Sequence, residues 1–178
     1  MNKQNQPDKA AGHLEAIANS TTDAMMVIDN KGAVVSWNRA AESIFGHSAD
    51  EMIGEPLHVI IPERFHQAHD QGIERVNSGG DQHVIGHAVQ LAGRRKNGSE
   101  FPIELTLSTW NIKGQIHYGG IIRDVSERVK MEDELRNSEA RSHSIMETAN
   151  DAIITADSGG LILSWNPAAA SIFGYEPS

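Results

Sequence analysis

The 178-residue sequence contains no cysteine. That excludes disulfides, thiolate zinc sites and cysteine nucleophiles. It also excludes flavin photochemistry that ends in a cysteinyl adduct. No apolar run approaches the roughly 18 residues of a membrane span. The opening residues, MNKQNQPDKAAG, lack an apolar h-region, so 1–12 read as a disordered N-terminus with no signal peptide. Positive charge is in deficit: 15 Lys and Arg against 24 Asp and Glu leave a formal net charge of −9. An acidic chain repels nucleic acid and anionic lipid, so neither is an expected partner. With no signal peptide visible and no span in this segment, a cytoplasmic location is expected. Aromatic residues are only 5%, yet the hydrophobic share of 39% is enough for a core of ordinary size.

What is present is a repeat. Residues 23–46 read DAMMVIDNKGAVVSWNRAAESIFG, and 151–174 read DAIITADSGGLILSWNPAAASIFG. The offset is a constant 128 (151 minus 23), so that Asp23 matches Asp151, Trp37 matches Trp165 and Phe45 matches Phe173. The second copy stops at Ser178, long before the first copy ends. The chain therefore reads as one complete domain at 13–124, a linker helix at 125–149 and the truncated start of a second domain at 150–178. The second copy is expected to fold poorly, because it has nothing to cover Trp165 and Phe173.

Within the first copy, 13–20 suggest a short leading helix. Ala24–Ile28 is a short apolar strand, Asp29-Asn30-Lys31-Gly32 has hairpin chemistry, and 33–37 is the return strand. Asn38 is a natural N-cap for a helix that Gly46 stops. A helical turn is expected near 48–53. Pro62 then opens a helix running to Asn77. Strands follow at about 84–94, 100–110 and 115–124, broken at Lys96-Asn97-Gly98 and Lys113-Gly114. The class is α+β, with a five-stranded antiparallel sheet flanked by helices. In the linker, Met131, Leu135, Ser138, Ser142, Ile145 and Ala149 recur at alternating steps of four and three, a heptad-like stripe. It reads either as one amphipathic helix lying on the domain or as the seam of a homodimeric coiled coil.

VIDNKGAVVSWNRAAESIFGHSADEMIGEPL, RRKNGSEFPIELTLS and HYGGIIRDVSER resemble the opening, late strands and exit of a bacterial PAS domain of the S-box type. The resemblance covers 13–128 and again 145–178. It implies a sensory and relay module rather than a catalytic domain, carried by a sensor protein such as a two-component histidine kinase. In such arrays a histidine kinase or a cyclic-dinucleotide enzyme usually lies further along as the downstream signalling domain. This sequence has no phospho-accepting histidine helix, since His143 lacks the surrounding pattern, and no catalytic arrangement is recognisable. The exit DVSER resembles the element by which PAS domains pass signals to the next helix, here Asp124, Ser126 and Arg128. An i, i+4 pair of Asp124 with Arg128 and a cap by Ser126 are expected.

Nine histidines are many for this length. His13, His47, His58, His117 and His143 read as singletons on surfaces or loops. On the long helix, Phe65, His69, Ile73 and Val76 share one face, apolar apart from His69, while His66 and Asp70 turn away. On the following strand, His83, Ile85, His87, Val89 and Leu91 alternate onto one side, read as the inner face. HDQGIERVNSGGDQHVIGHAVQLAGRRKNG is similar, without a gap, to the haem PAS domain of FixL-type oxygen-sensor kinases. That resemblance implies iron ligation by His69 and propionate contacts at Arg75 and His83. In the Dos-type haem phosphodiesterases a sixth ligand falls on His87. The distal arginine of both families falls on Val89, which cannot donate a hydrogen bond. Beside haem stand an empty or small-molecule cavity, a flavin, and a zinc site from His66, His69, His83 and His87. The zinc reading is weak, because His66 and His69 do not both point inward and no carboxylate stands at ligand spacing on the strand.

Overall fold

The computed structural model describes residues 6–80 and 85–174. The chain divides into two compact units, with the boundary between Glu127 and Arg128. The first begins with helix α1 (Gln6–Ser20). It is longer than expected: Gln6 to Gly12, assigned to a disordered tail, are helical. Pro7 is tolerated in the first turn, and Ala10 and Ala11 favour the helix.

Strands β1 (Ala24–Ile28) and β2 (Val34–Trp37) form the expected hairpin. Asp29 Oδ1 accepts from the Lys31 and Ala33 amides at 2.8 and 2.9 Å, and Gly32 takes the left-handed conformation at φ 83°. Helix α2 (Arg39–Phe45) is capped by Asn38 and ended by Gly46 at φ 81°. Helix α3 (Ala49–Met52) opens with a reciprocal Ser48–Glu51 capping box. Two 3₁₀ turns, Leu57–Ile60 and Glu63–Phe65, precede helix α4 (His66–Asn77). The helix expected from Pro62 thus begins as a 3₁₀ turn.

Strands β3 (Ala88–Arg94), β4 (Glu100–Ile112) and β5 (Gln115–Asp124) complete an antiparallel sheet of order β2-β1-β5-β4-β3. This places the N-terminal hairpin beside the last strand. One face of the sheet supplies Ala24, Met26, Ile28, Phe101, Ile103, Tyr118 and Ile122 to the core, where Trp37, Phe45 and Met52 meet them. Phe45 and Met52 are fully buried.

Asn38 holds the unit's entrance together. Its Oδ1 accepts from the Met25 and Ala41 amides, each at 2.9 Å. Its Nδ2 donates to Ala18 O at 2.7 Å and Asp23 O at 3.2 Å. All four hydrogen-bonding positions of this buried amide are used, tying α1, β1 and α2 to one side chain.

Helix α5 (Ser126–Thr148) bears no buried residue. Met131, Leu135 and Ile145 are all more than half exposed. The second unit also contains strands β6 (Ile154–Ala156) and β7 (Ile162–Trp165) and helix α6 (Pro167–Phe173). No described helix is long and apolar enough to cross a membrane.

Candidate functional site

Between α4 and the sheet lies a cavity of about 350 Å³, at the small end of the range for ligand pockets. Its floor is Met26, Ile28, Ile103, Leu105, Tyr118, Gly120 and Ile122; its roof is Phe65, Ala68, His69, Gly72, Ile73 and Val76. Ile85, Val89 and Leu91 close the side toward β3. The opening is apolar too, since Phe65 and Leu91 remain 39% and 46% exposed. Small residues make the space: Gly72 sits on the roof helix with no atom within 4 Å of where a Cβ would stand. Arg75 lines the cavity yet is exposed, which puts it at the rim.

The four residues expected on one apolar helical face all line this cavity: Phe65, which the preceding 3₁₀ turn carries, and His69, Ile73 and Val76 on α4. His69 is the titratable group on the roof. Burial pushes its imidazole below the ordinary histidine range, only partly offset by Asp70. It is therefore neutral at pH 7. Its Nδ1 is buried without a hydrogen bond; the nearest carboxylate atom, Asp70 Oδ1, lies 3.5 Å away, beyond a good bond.

The strand side departs from the expected alternation. Gly86 adopts φ 82° and its amide donates to Leu107 O at 2.9 Å. The chain turns there, Ile85 bridges Leu107 in parallel, and β3 starts only at Ala88. His87 therefore sits in a bend, exposed and outside the cavity lining, not on the inner face. Val89 does line the cavity. His83 lies outside the described residues.

His58, expected as a surface singleton, instead joins a cluster at the start of α4. Its Nε2 is 2.7 Å from Asp70 Oδ1. Its ring stacks on His66 at 4.2 Å and meets His69 edge-on at 5.5 Å. His66 is fixed in turn by Ile61 O, 2.9 Å from its Nε2. Sequence periodicity missed His58 because a 3₁₀ turn between Pro56 and Pro62 carries it, and turns have no helical period.

At the exit, Asp124 has partners that the spacing alone does not name. Asp124 closes β5, and its Oδ2 binds Arg95 Nη2 at 2.6 Å while its Oδ1 accepts from the Ser126 amide at 2.9 Å. Asp124 therefore caps α5, where Ser126 was expected to do so. Partial burial raises the Asp124 pKa, but hydrogen bonds from Ser126 and Arg95 outweigh it and hold the carboxyl below the ordinary range. Arg95 also bonds Ile44 O at the end of α2 and lies over the Phe101 ring at 3.7 Å. Arg128 pairs with Glu132 along α5 at 3.6 Å.

This arrangement of a five-stranded antiparallel sheet, a cavity under one helix and an exit helix capped from the last strand defines a sensory-domain architecture. The chain belongs to the PAS family: residues 12–125 match the family described as PAS fold, and 140–178 match a second described as PAS domain. It is 33% identical over 124 residues to the sensor protein FixL of Bradyrhizobium diazoefficiens, covering 70% of this chain and 25% of that one. To the oxygen sensor protein DosP of Escherichia coli it is 26% identical over 150 residues, covering 84% and 18%. The chain thus spans a quarter or less of these curated relatives. A crystal structure of a PAS domain from a two-component sensor histidine kinase shares the fold, with TM-score 0.56 at 14% identity, covering 67% of this chain and 99% of that one.

Proposed function

We propose that residues 13–124 are the input module of a sensor protein of the histidine-kinase type. In this reading the apolar cavity takes a small apolar or planar ligand, and its state passes to α5 through Asp124, Ser126 and Arg128. The observation that carries the reading is one connected path. Ile103 and Ile122 line the cavity, β5 ends in Asp124, and the Asp124 carboxylate grips both Arg95 and the first amide of α5. A ligand that shifts β5 must shift this cap. The exposed stripe of Met131, Leu135 and Ile145 supports a homodimer through the linker, which would bring two relays into register.

A second reading, haem, is favoured by one observation: His69, which lines the apolar cavity, carries a neutral, buried imidazole whose Nδ1 lies toward Asp70. The residues fit the group. His69 would hold the iron through Nε2, with Nδ1 facing Asp70, in the manner of a carboxylate-backed ligand. Arg75 at the rim would meet a propionate. Val89 offers bound gas no hydrogen bond, and His87, outside the cavity, is no longer an evident sixth ligand. When bound, haem would supply an iron centre that reports gas or redox state.

Haemin titration tests both readings. Wild-type protein should develop a Soret band and gain thermal stability, and His69→Ala should lose the band. If His69→Ala binds equally well, His69 is a core histidine and the iron reading fails. If wild type takes up neither haemin nor benzene, a dry-cavity probe, the ligand reading fails with it.

A further inference from the structure

The histidine cluster above α4 serves neither the relay nor the apolar floor. We propose that His58 Nε2, His69 Nδ1 and Asp70 Oδ1 form a three-ligand site for a divalent transition metal, with zinc the first candidate. The three residues each offer one ligand atom, all within 4.8 Å of one another. Zinc–nitrogen and zinc–oxygen bonds of about 2.0–2.2 Å put tetrahedral ligand atoms about 3.4 Å apart. The observed separations of 2.7 Å (His58 to Asp70) and 3.5 Å (His69 to Asp70) bracket that value. The third separation, His58 to His69, is within 4.8 Å, so an ion would draw the two imidazoles together.

The donor chemistry agrees. Two imidazoles and a carboxylate are ligands for zinc in a chain that has no cysteine. Nδ1 of His69 is buried and has no hydrogen bond to lose. The Asp70 side chain is 60% exposed, so solvent can fill the fourth position and the ion has an entry path. His58 is held from outside the site, at its ring and at its backbone. His66 stacks against it, nearly parallel at 7°, and Arg94 Nη2 donates to the His58 carbonyl at 3.3 Å. His66 is therefore a positioning residue, its own Nε2 committed to Ile61 O.

The consequence reaches the cavity. His58 sits on the turn that carries Leu57 and Ile60, and His69 on the helix that carries Ile73 and Val76; all four apolar side chains line the cavity. A metal would clasp these two walls together and restrict the roof's movement, giving the module a second input. It would also take the Nδ1 position that a carboxylate-backed haem ligand keeps protonated, so zinc and haem iron are alternative claims on His69.

The test is calorimetric titration of untagged, metal-free full chain with zinc chloride, with cobalt(II) absorption as a second readout. Wild type should bind one zinc per chain. His58→Ala and Asp70→Asn should each weaken binding by about 100-fold, and His66→Ala by about tenfold, in the range by which outer-shell partners act. Far-UV dichroism without metal checks that each variant folds. Unchanged stoichiometry and affinity in the His58→Ala/Asp70→Asn double variant would overturn the site, as would wild-type binding no tighter than millimolar. Neither substitution touches Nε2 of His69. Variants that lose zinc but keep the Soret band therefore support this site independently of haem; in wild type, a Soret band without zinc binding tells against this site alone, and zinc binding without a Soret band against haem alone.

Discussion

The two copies of the repeat build the same start and end in different circumstances. Asn166 repeats the network of Asn38 bond for bond. Its Oδ1 accepts from Ile153 and Ala169, each at 2.9 Å, and its Nδ2 donates to Met146 O at 3.1 Å and Asp151 O at 3.0 Å. Ala18 and Met146 stand in equivalent places, so the end of α5 is to the second copy what the end of α1 is to the first. The linker is thus also a leading helix. Yet Phe45 is fully buried while Phe173 is 53% exposed, and Leu161, Ile162 and Leu163 all lie open. The Trp37 Nε1–H donates to His47 O at 3.1 Å, whereas Trp165 Nε1 is buried with no partner among the described residues. Hairpin, cap and helix are therefore encoded locally, whereas their burial depends on α4 and on β3 to β5.

The comparison breaks most visibly at the aromatic anchors. Phe45→Ala should cost about 3–5 kcal/mol, and Phe173→Ala under about 0.5 kcal/mol. Denaturant unfolding followed by the tryptophans reads both, and equal costs would mean that the second copy has a core of its own. Next come the hubs. Asn38→Ala leaves the Met25 and Ala41 amides without their acceptor and should cost about 2–3 kcal/mol; Asn166→Ala should cost less, because little packing depends on it. Hydrogen exchange at Met25 and Ile153 compares the two directly.

The smallest effect concerns the exit of the first copy. The Asp124 carboxyl is held below its ordinary range, so its contribution to stability is full above the unfolded value of about 3.9 and is lost as pH falls through the folded value. Asp124→Asn should flatten stability against pH below about pH 4, with little change in slope at neutral pH. An unaltered acid limb would place the pH dependence elsewhere.

Much of the fold was legible because it rests on short signals. Asn38, Gly46, the Asp29–Gly32 turn and the period of α4 are chemical punctuation that the chain obeys locally. The relay was half legible. Asp124 and Ser126 do meet, but Arg95 lies 29 residues upstream, and only sheet pairing brings it there. The cavity's roof could be read from the Phe65–Val76 face. Its edge could not, because Gly86 turns the chain and throws His87 outward where alternation alone would point it in. The cluster of His58, His66, His69 and Asp70 was hidden for the opposite reason: a proline-bounded turn folds His58 back onto a helix whose period says nothing about it.

In the proposed relay, the cavity's state reaches α5 through Asp124. Gly72→Leu fills the cavity from the roof, at a helical position with open space beside it. Amide exchange across residues 115–135 should then change in β5 and in the first turn of α5, and that change should vanish beyond residue 124 when Asp124→Asn is added. A change confined to the cavity walls, or one that passes into α5 undiminished in the double variant, would contradict the account.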